Sequence, residues 1–254
     1  MNTRLNSMIK RILICLVGIL LISSCSSKNN DKTKAQSEIE IADQDDFQRF
    51  EETIRQFEYE DSISGPLELD LMLTGSSSIR LWANIEDDLN PYTLKNRGFG
   101  GATLDELTHY APRFLFTHNY KCLIVYCGEN DISEGDSPGE AFEDFKSFHT
   151  LVRSRDEQLP ILYVSMKPSI ARANLYNDFI SADSLIIEYL KSDPQSHIFD
   201  SGKSMIVNDS LRMDIFIEDG LHMNQRGYDI WAENIKSDLS QIFDSSKKST
   251  LNSR

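Results

Sequence analysis

The segment Cys122-Leu123-Ile124-Val125-Tyr126-Cys127 restricts the possible folds more than any other stretch of the chain. Its apolar residues run together with no polar alternation. Such a strand offers no face to water, so it belongs inside a sheet covered on both sides. Shorter strand-like runs lie at Leu67 to Leu73, ending at Thr74-Gly75, at Pro160 to Ser165 and at His197 to Asp200, and a weaker strand is expected just before Asn96. Helical periodicity fills the intervals. Residues 103–118 place Leu104, Leu107 and Phe114 on one side. Ser137-Pro138-Gly139-Glu140 has the form of a capping box with proline at the first helical position, followed by Phe142, Phe145, His149 and Val152 on one face. Leu175, Phe179, Ala182, Ile186 and Leu190 mark another helix. Trp231, Ile235, Leu239 and Ile242 mark the buried face of a last one, Gly227 to Phe243. Phe47, Phe50, Ile54 and Phe57 predict an amphipathic helix over residues 44–58, ahead of the first strand. This alternation of strands and helices implies an α/β fold with a central parallel sheet.

The N-terminus reads differently. Arg4, Lys10 and Arg11 precede an apolar run of 11 residues, Ile12 to Ile22, too short for a spanning helix of about 20. Ser23, Ser24 and Cys25 follow, the pattern of an export signal with a small-residue cleavage site. Ile22-Ser23-Ser24-Cys25 resembles a bacterial lipobox, which implies a signal over residues 1–25 and lipidation at Cys25. Residues 26–43 are polar and predict a disordered tether. A folded domain is expected over 44–245 and a disordered tail over 246–254. Membrane attachment through the lipid, on the periplasmic side or the cell surface, follows from this reading.

The formal net charge is −14, and removing residues 1–24 takes away three positive charges and no negative one, leaving −17. That balance argues against nucleic acid as a partner. Cys122 and Cys127 lie five apart on one strand and face opposite ways, so they are expected as separate buried thiols. No zinc-type Cys/His spacing occurs, and His109, His118, His149 and His197 are read as structural or surface groups.

Four stretches carry reactive chemistry: Gly75-Ser76-Ser77-Ser78, Asn96-Arg97-Gly98-Phe99-Gly100-Gly101, Gly128-Glu129-Asn130-Asp131 and Asp219-Gly220-Leu221-His222. Three follow expected strands, and the fourth precedes the final helix. In an open α/β sheet all four gather beyond the carboxyl ends of the strands, where ligands bind. Ser77 is the candidate nucleophile, with Ser76 and Ser78 as rivals. His222 is the candidate base, with Asp219 to hold its second ring nitrogen and Asp214 and Glu218 as other carboxylates in range. Gly101 and Asn130 are candidate donors to an oxyanion. Arg172, after the Ser165-Met166-Lys167-Pro168-Ser169 segment, either contacts substrate or binds a carboxylate or helix end. Phe99 is a candidate pocket residue, whereas Trp82 is expected in the core.

In their order and spacing these stretches, with Gly75-Ser76-Ser77-Ser78-Ile79-Arg80-Leu81-Trp82 and Asp219-Gly220-Leu221-His222-Met223-Asn224, resemble the sequence blocks of the SGNH (GDSL-type) hydrolases over about residues 66–243. The resemblance implies a flavodoxin-like three-layer α/β/α fold and ester hydrolysis without a metal or cofactor. It places the nucleophile at Ser77, the oxyanion donors at Gly101, Asn130 and the Ser77 backbone N–H, and the supporting pair at Asp219 and His222. Ser76 stands where the family usually has aspartate, as in a Gly-Ser-Ser-Ser-Ile-Arg branch. Small acyl esters, including acetyl groups on carbohydrates, are the expected substrates. The alternatives are an acyltransferase using the same residues and a non-catalytic lipoprotein binding glycan or protein.

Overall fold

A computed structural model describes the backbone of residues 47–252 and the side chains through residue 244. The expected signal, the tether and Cys25 lie outside the described residues. A short 3-10 turn, Gln48–Phe50, leads into α1, Glu51–Ser64, so the helix expected over 44–58 is regular later in the chain and continues further. The order is then β1 Glu68–Gly75, α2 Ser77–Arg80, α3 Ile85–Asp88, β2 Leu94–Gly98, α4 Leu104–Phe114, β3 Asn119–Tyr126, α5 Glu129–Glu134, α6 Pro138–Arg155, β4 Ile161–Val164, α7 Tyr176–Leu190, β5 Ser196–Phe199, α8 Ser201–Met205 and α9 Gln225–Asn252. A small antiparallel hairpin, β6 Ile206–Val207 with β7 Ser210–Leu211, precedes α9.

The five long strands form one parallel sheet in the order β2-β1-β3-β4-β5. The two sides of the central strands divide by parity. Leu71, Leu73, Cys122, Ile124, Tyr126, Leu162 and Val164 join Trp231, Ile235 and Leu239 of α9 in one core. On the other side Tyr163 meets Phe145 of α6 edge to face, and Phe57 of α1 meets Phe114 of α4. This is the three-layer arrangement that an unalternating central strand requires. Trp82 belongs to the α9 side, 1% exposed and stacked on Tyr228, with its indole N–H donating to Asp88. Cys122 and Cys127 are separate buried thiols.

β1 ends at Gly75, as expected, where its backbone pairs with Tyr126 of β3. Two boundaries differ from expectation. The helix expected over 103–118 spans Leu104–Phe114, and Thr103 closes a capping box with Glu106 before it. Its expected last residues serve elsewhere: the His118 ring meets Asp61 of α1 at 2.9 Å, and β3 begins at Asn119. The last helix continues past Phe243 to Asn252, through residues expected as a tail; no glycine or proline there stops it.

Asp61 fastens α1 to the sheet. Its carboxylate takes Arg97, Lys95 at 2.8 Å, Thr117 at 2.8 Å and His118. Burial works against the charge, but these partners outweigh it and hold the carboxyl down to about 2.

Candidate active site

The carboxyl ends of β1, β2 and β3 place three of the sequence stretches side by side. Gly75, at the end of β1, has φ +126°, and a Cβ there would lie 1.9 Å from the Tyr126 carbonyl oxygen. Only glycine lets β1 turn so close to β3. The chain then enters α2 with Ser77 at its first position. Ser76 and Ser78 are 2% and 1% exposed, whereas Ser77 is half-buried. Two outside contacts hold this turn. Asn96 Nδ2 donates to the Ile79 carbonyl at 2.7 Å, and the Tyr228 hydroxyl on α9 donates to the Ser78 carbonyl at 3.0 Å.

His222 comes from the loop before α9, 145 residues away in sequence, and its Nε2 lies 2.9 Å from Ser77 Oγ. Its Nδ1 lies 2.6 Å from Asp219 Oδ2. The other Asp219 oxygen accepts the N–H groups of Leu221 and His222 at 2.8 and 2.9 Å. Burial tends to raise the Asp219 pKa, but the His222 ring and these N–H groups prevail, and the carboxyl is held down to about 2. It is therefore an anion facing Nδ1 at any ordinary pH. Asp214 pairs instead with Arg212 at 2.9 Å. The loop is clamped from both sides: Ile217 N–H donates to the His222 carbonyl, and Ala171 N–H donates to the Gly220 carbonyl.

Gly101 has φ +86°, with open space where a side chain would stand. Asn130 sits in the first turn of α5, 7% exposed. Its Nδ2 donates to the Ala102 carbonyl at 2.8 Å, which ties the Asn130 turn to the loop carrying Gly101. Asn130 Oδ1 accepts from Arg172 Nη2 at 2.8 Å, and Arg172 Nη1 lies 3.4 Å from Glu129 Oε2. Arg172 thus meets both a carboxylate and a candidate oxyanion donor. The Phe99 expectation is corrected: its ring is 0% exposed and packs edge-on against Tyr110 and Phe114. The ring is held in the core by these two aromatic contacts and does not line the cleft.

The sequence reading did not single out the pair beneath this site. Lys167, fully buried, places Nζ 3.1 and 3.2 Å from the two oxygens of Glu129, itself 4% exposed. Both residues lie in quoted stretches, but they are 38 positions apart and no local pattern links them. Asp131, next to Asn130, is fully buried; its Oδ1 accepts the Leu104 N–H at 2.8 Å. Asp183 on α7 is also buried, accepting from the Tyr163 hydroxyl at 2.7 Å and the Met166 N–H. Burial, only partly offset by those two donors, pushes its carboxyl up to about 7.

A hydroxyl, an imidazole and a carboxylate aligned in this way form a relay for nucleophilic acyl chemistry. The GDSL-like lipase/acylhydrolase family model matches residues 70–230, and the chain belongs to that family of acylhydrolases and esterases. Solved structures share the fold. A Streptococcus pneumonia protein provisionally named a platelet activating factor superposes with TM-score 0.68 at 17% identity, over 80% of this chain and 99% of its own. A GDSL-like lipase from Bacteroides thetaiotaomicron gives 0.60 at 19% identity, over 74% and 97%. A carbohydrate esterase family 3 protein from Talaromyces cellulolyticus gives 0.54 at 15% identity, over 69% and 99%. No curated protein matches the sequence.

Proposed function

We propose that this chain is a serine esterase that removes small acyl groups, acetyl groups on carbohydrates among them, with Ser77 as nucleophile, His222 as base and Asp219 as its orienting anion. One observation carries the reading. His222 bridges Ser77 Oγ and Asp219 Oδ2 at 2.9 and 2.6 Å through its two different ring nitrogens.

In the first half-reaction Ser77 Oγ attacks the ester carbonyl carbon while His222 Nε2 takes the serine proton. The carbonyl π pair moves to oxygen. The Ser77 and Gly101 N–H groups and Asn130 Nδ2 are the donors that receive that negative charge. The intermediate collapses, the C–O bond to the alcohol breaks, and His222 returns its proton to the leaving oxygen. In the second half-reaction water takes the place of the alcohol and the acid is released. Arg172 acts through Asn130: by donating to Oδ1 it fixes which end of the amide is acceptor and leaves Nδ2 as the donor end. Lys167 balances the Glu129 carboxylate, so one guanidinium reaches both Glu129 and Asn130.

Carbohydrate acetate is supported by the names of two fold neighbours, a carbohydrate esterase and an acetyl esterase with an acetate ion. Export as a lipoprotein, with Cys25 lipidated and residues 26–43 as tether, rests on the sequence of the first 25 residues. Membrane and glycan ester are accordingly the proposed partners, with no cofactor in the acyl chemistry.

The direct test is turnover of p-nitrophenyl acetate and of acetylated sugars by the parent and by Ser77→Ala. Acetate release that disappears in the variant supports the mechanism. Equal release by both refutes Ser77 as nucleophile. Labelling of Ser77 by a fluorophosphonate without turnover of these esters would mean a competent site whose substrate, or acceptor, is none of those assayed. For the anchor, Cys25→Ser should move the protein from the membrane fraction to the soluble one.

A further inference from the structure

Away from the serine, α5, the turn that follows it and α6 bring three carboxylates together. One oxygen each from Asp131, Asp136 and Asp144 lies within 4.8 Å of the others. The turn is built to do this. Gly135, at φ +115°, ends α5 in the left-handed conformation, and the N–H groups of Gly135 and Asp136 both fold back onto the Asp131 carbonyl at 3.1 and 3.0 Å. Asp144 then arrives from the second turn of α6.

An independent feature of the cluster calls for a ligand. Asp131 is fully buried, and only one of its oxygens is used: Oδ1 accepts the Leu104 N–H, while Oδ2 is buried with no hydrogen-bond partner. A buried carboxylate oxygen without a partner is costly. Placing it beside two further carboxylates compounds the cost unless a proton or a cation sits among them. Asp136 and Asp144 are half-buried, so water reaches the outer side of the cluster while Asp131 closes the inner side.

We propose that Asp131, Asp136 and Asp144 form a binding site for a divalent cation with a hard, oxygen-seeking character, calcium in the first instance. All three donors are carboxylate oxygens, which excludes the soft-ligand metals as natural occupants. Calcium bonds oxygen at about 2.3–2.6 Å, so two ligands on opposite sides of one ion stand about 4.6–5.2 Å apart. Oxygens within 4.8 Å of one another therefore fit a single coordination shell. Calcium accepts irregular sets completed by water, whereas magnesium demands near-ideal octahedral geometry. The ion has a structural task. Asp131 joins the start of α4 to α5, so its neutralised carboxylate ties together the two loops that carry Gly101 and Asn130.

The members of this group are five and eight residues apart, on α5, the turn after it and α6, so no local spacing in the sequence marks it.

The test is thermal unfolding of the full chain after dialysis against EDTA, then with added calcium, magnesium or manganese chloride, beside the Asp136→Asn/Asp144→Asn double variant. At a hundredfold excess of calcium over its dissociation constant, Tm of the parent should rise by about 5–10 °C. The variant should lose that rise, and in EDTA it should melt no lower than the parent, since repulsion has been removed. A parent Tm that calcium and the other ions leave unchanged overturns the proposal. A rise that persists undiminished in the variant overturns it as well, because the ion then binds elsewhere. If the double variant does not fold, Asp144→Asn alone carries the same comparison, with isothermal titration of calcium giving the stoichiometry: one site in the parent and a loss of at least tenfold in affinity in the variant.

Discussion

Replacing Asp219 by asparagine separates the electrostatic role of the carboxylate from its role in building the loop. Asp219 accepts three hydrogen bonds, from Leu221 N–H, His222 N–H and the His222 ring. An asparagine oxygen can keep both backbone donors, so the loop should hold its shape. The amide NH2 is then left facing His222 Nδ1, 2.6 Å from where Oδ2 stood. Two donors cannot face each other, so Nδ1 becomes an acceptor and the proton moves to Nε2. Nε2–H then points at Ser77 Oγ and cannot take its proton. A wrong tautomer in a fully buried triad costs about 10⁴ in kcat. Asp219 is 43% exposed, so water can compete for Nδ1 and restore the productive tautomer part of the time. The expected loss is about 10²–10³ in kcat, equivalent to about 3–4 kcal/mol in the barrier. KM should stay within a few-fold and Tm within about 2 °C. Steady-state kinetics on a p-nitrophenyl ester together with a melting curve checks all three. A kcat within threefold of the parent would refute the orienting role of Asp219. A large drop in Tm would instead show that the asparagine cannot hold the two backbone donors.

Further outcomes follow from the same geometry. His222→Ala should remove nearly all turnover while near-UV circular dichroism stays native, because the side chain is partly exposed and its loop is held through backbone bonds; retained turnover there would exclude it as the base. Asn130→Ala should lower kcat about a hundred- to a thousandfold if the amide stabilises the oxyanion, measured on a substrate whose chemistry limits the rate. Arg172→Ala should lower kcat with less effect on KM, and Arg172→Lys should rescue it only partly, since an ammonium cannot reach Glu129 and Asn130 as a fork; a pure rise in KM would make Arg172 a substrate contact instead. Asp183 keeps its proton in the folded protein until about pH 7, whereas the unfolded chain releases it near pH 3.8. Stability contributed by this group therefore falls as pH rises between those values and is level above them, by at most about 4 kcal/mol. Denaturant titrations of Asp183→Asn and the parent across that window should show the parent gaining stability relative to the variant as pH falls, and parallel curves would contradict the assignment.

The alternation of buried strands and amphipathic helices, and the four reactive stretches, were legible because each is a local pattern. An apolar run with no polar alternation must be covered on both faces, whatever surrounds it, and parallel connections then bring the ends of β1, β2 and β3 to one edge. Ser77, His222 and Asp219 could be named from that logic. Choosing Ser77 over Ser76 and Ser78, or Asp219 over Asp214, needed burial and distance, which depend on atoms contributed by β3, α9 and the loop after β4. Phe99 illustrates the limit. Its neighbours in sequence border the site, yet its ring turns into the core between Tyr110 and Phe114. The Lys167–Glu129–Arg172 network and the Asp131–Asp136–Asp144 group were invisible for the same reason. Their members share no periodicity, and burial and mutual charge, which decide what they do, exist only once the sheet has closed around them.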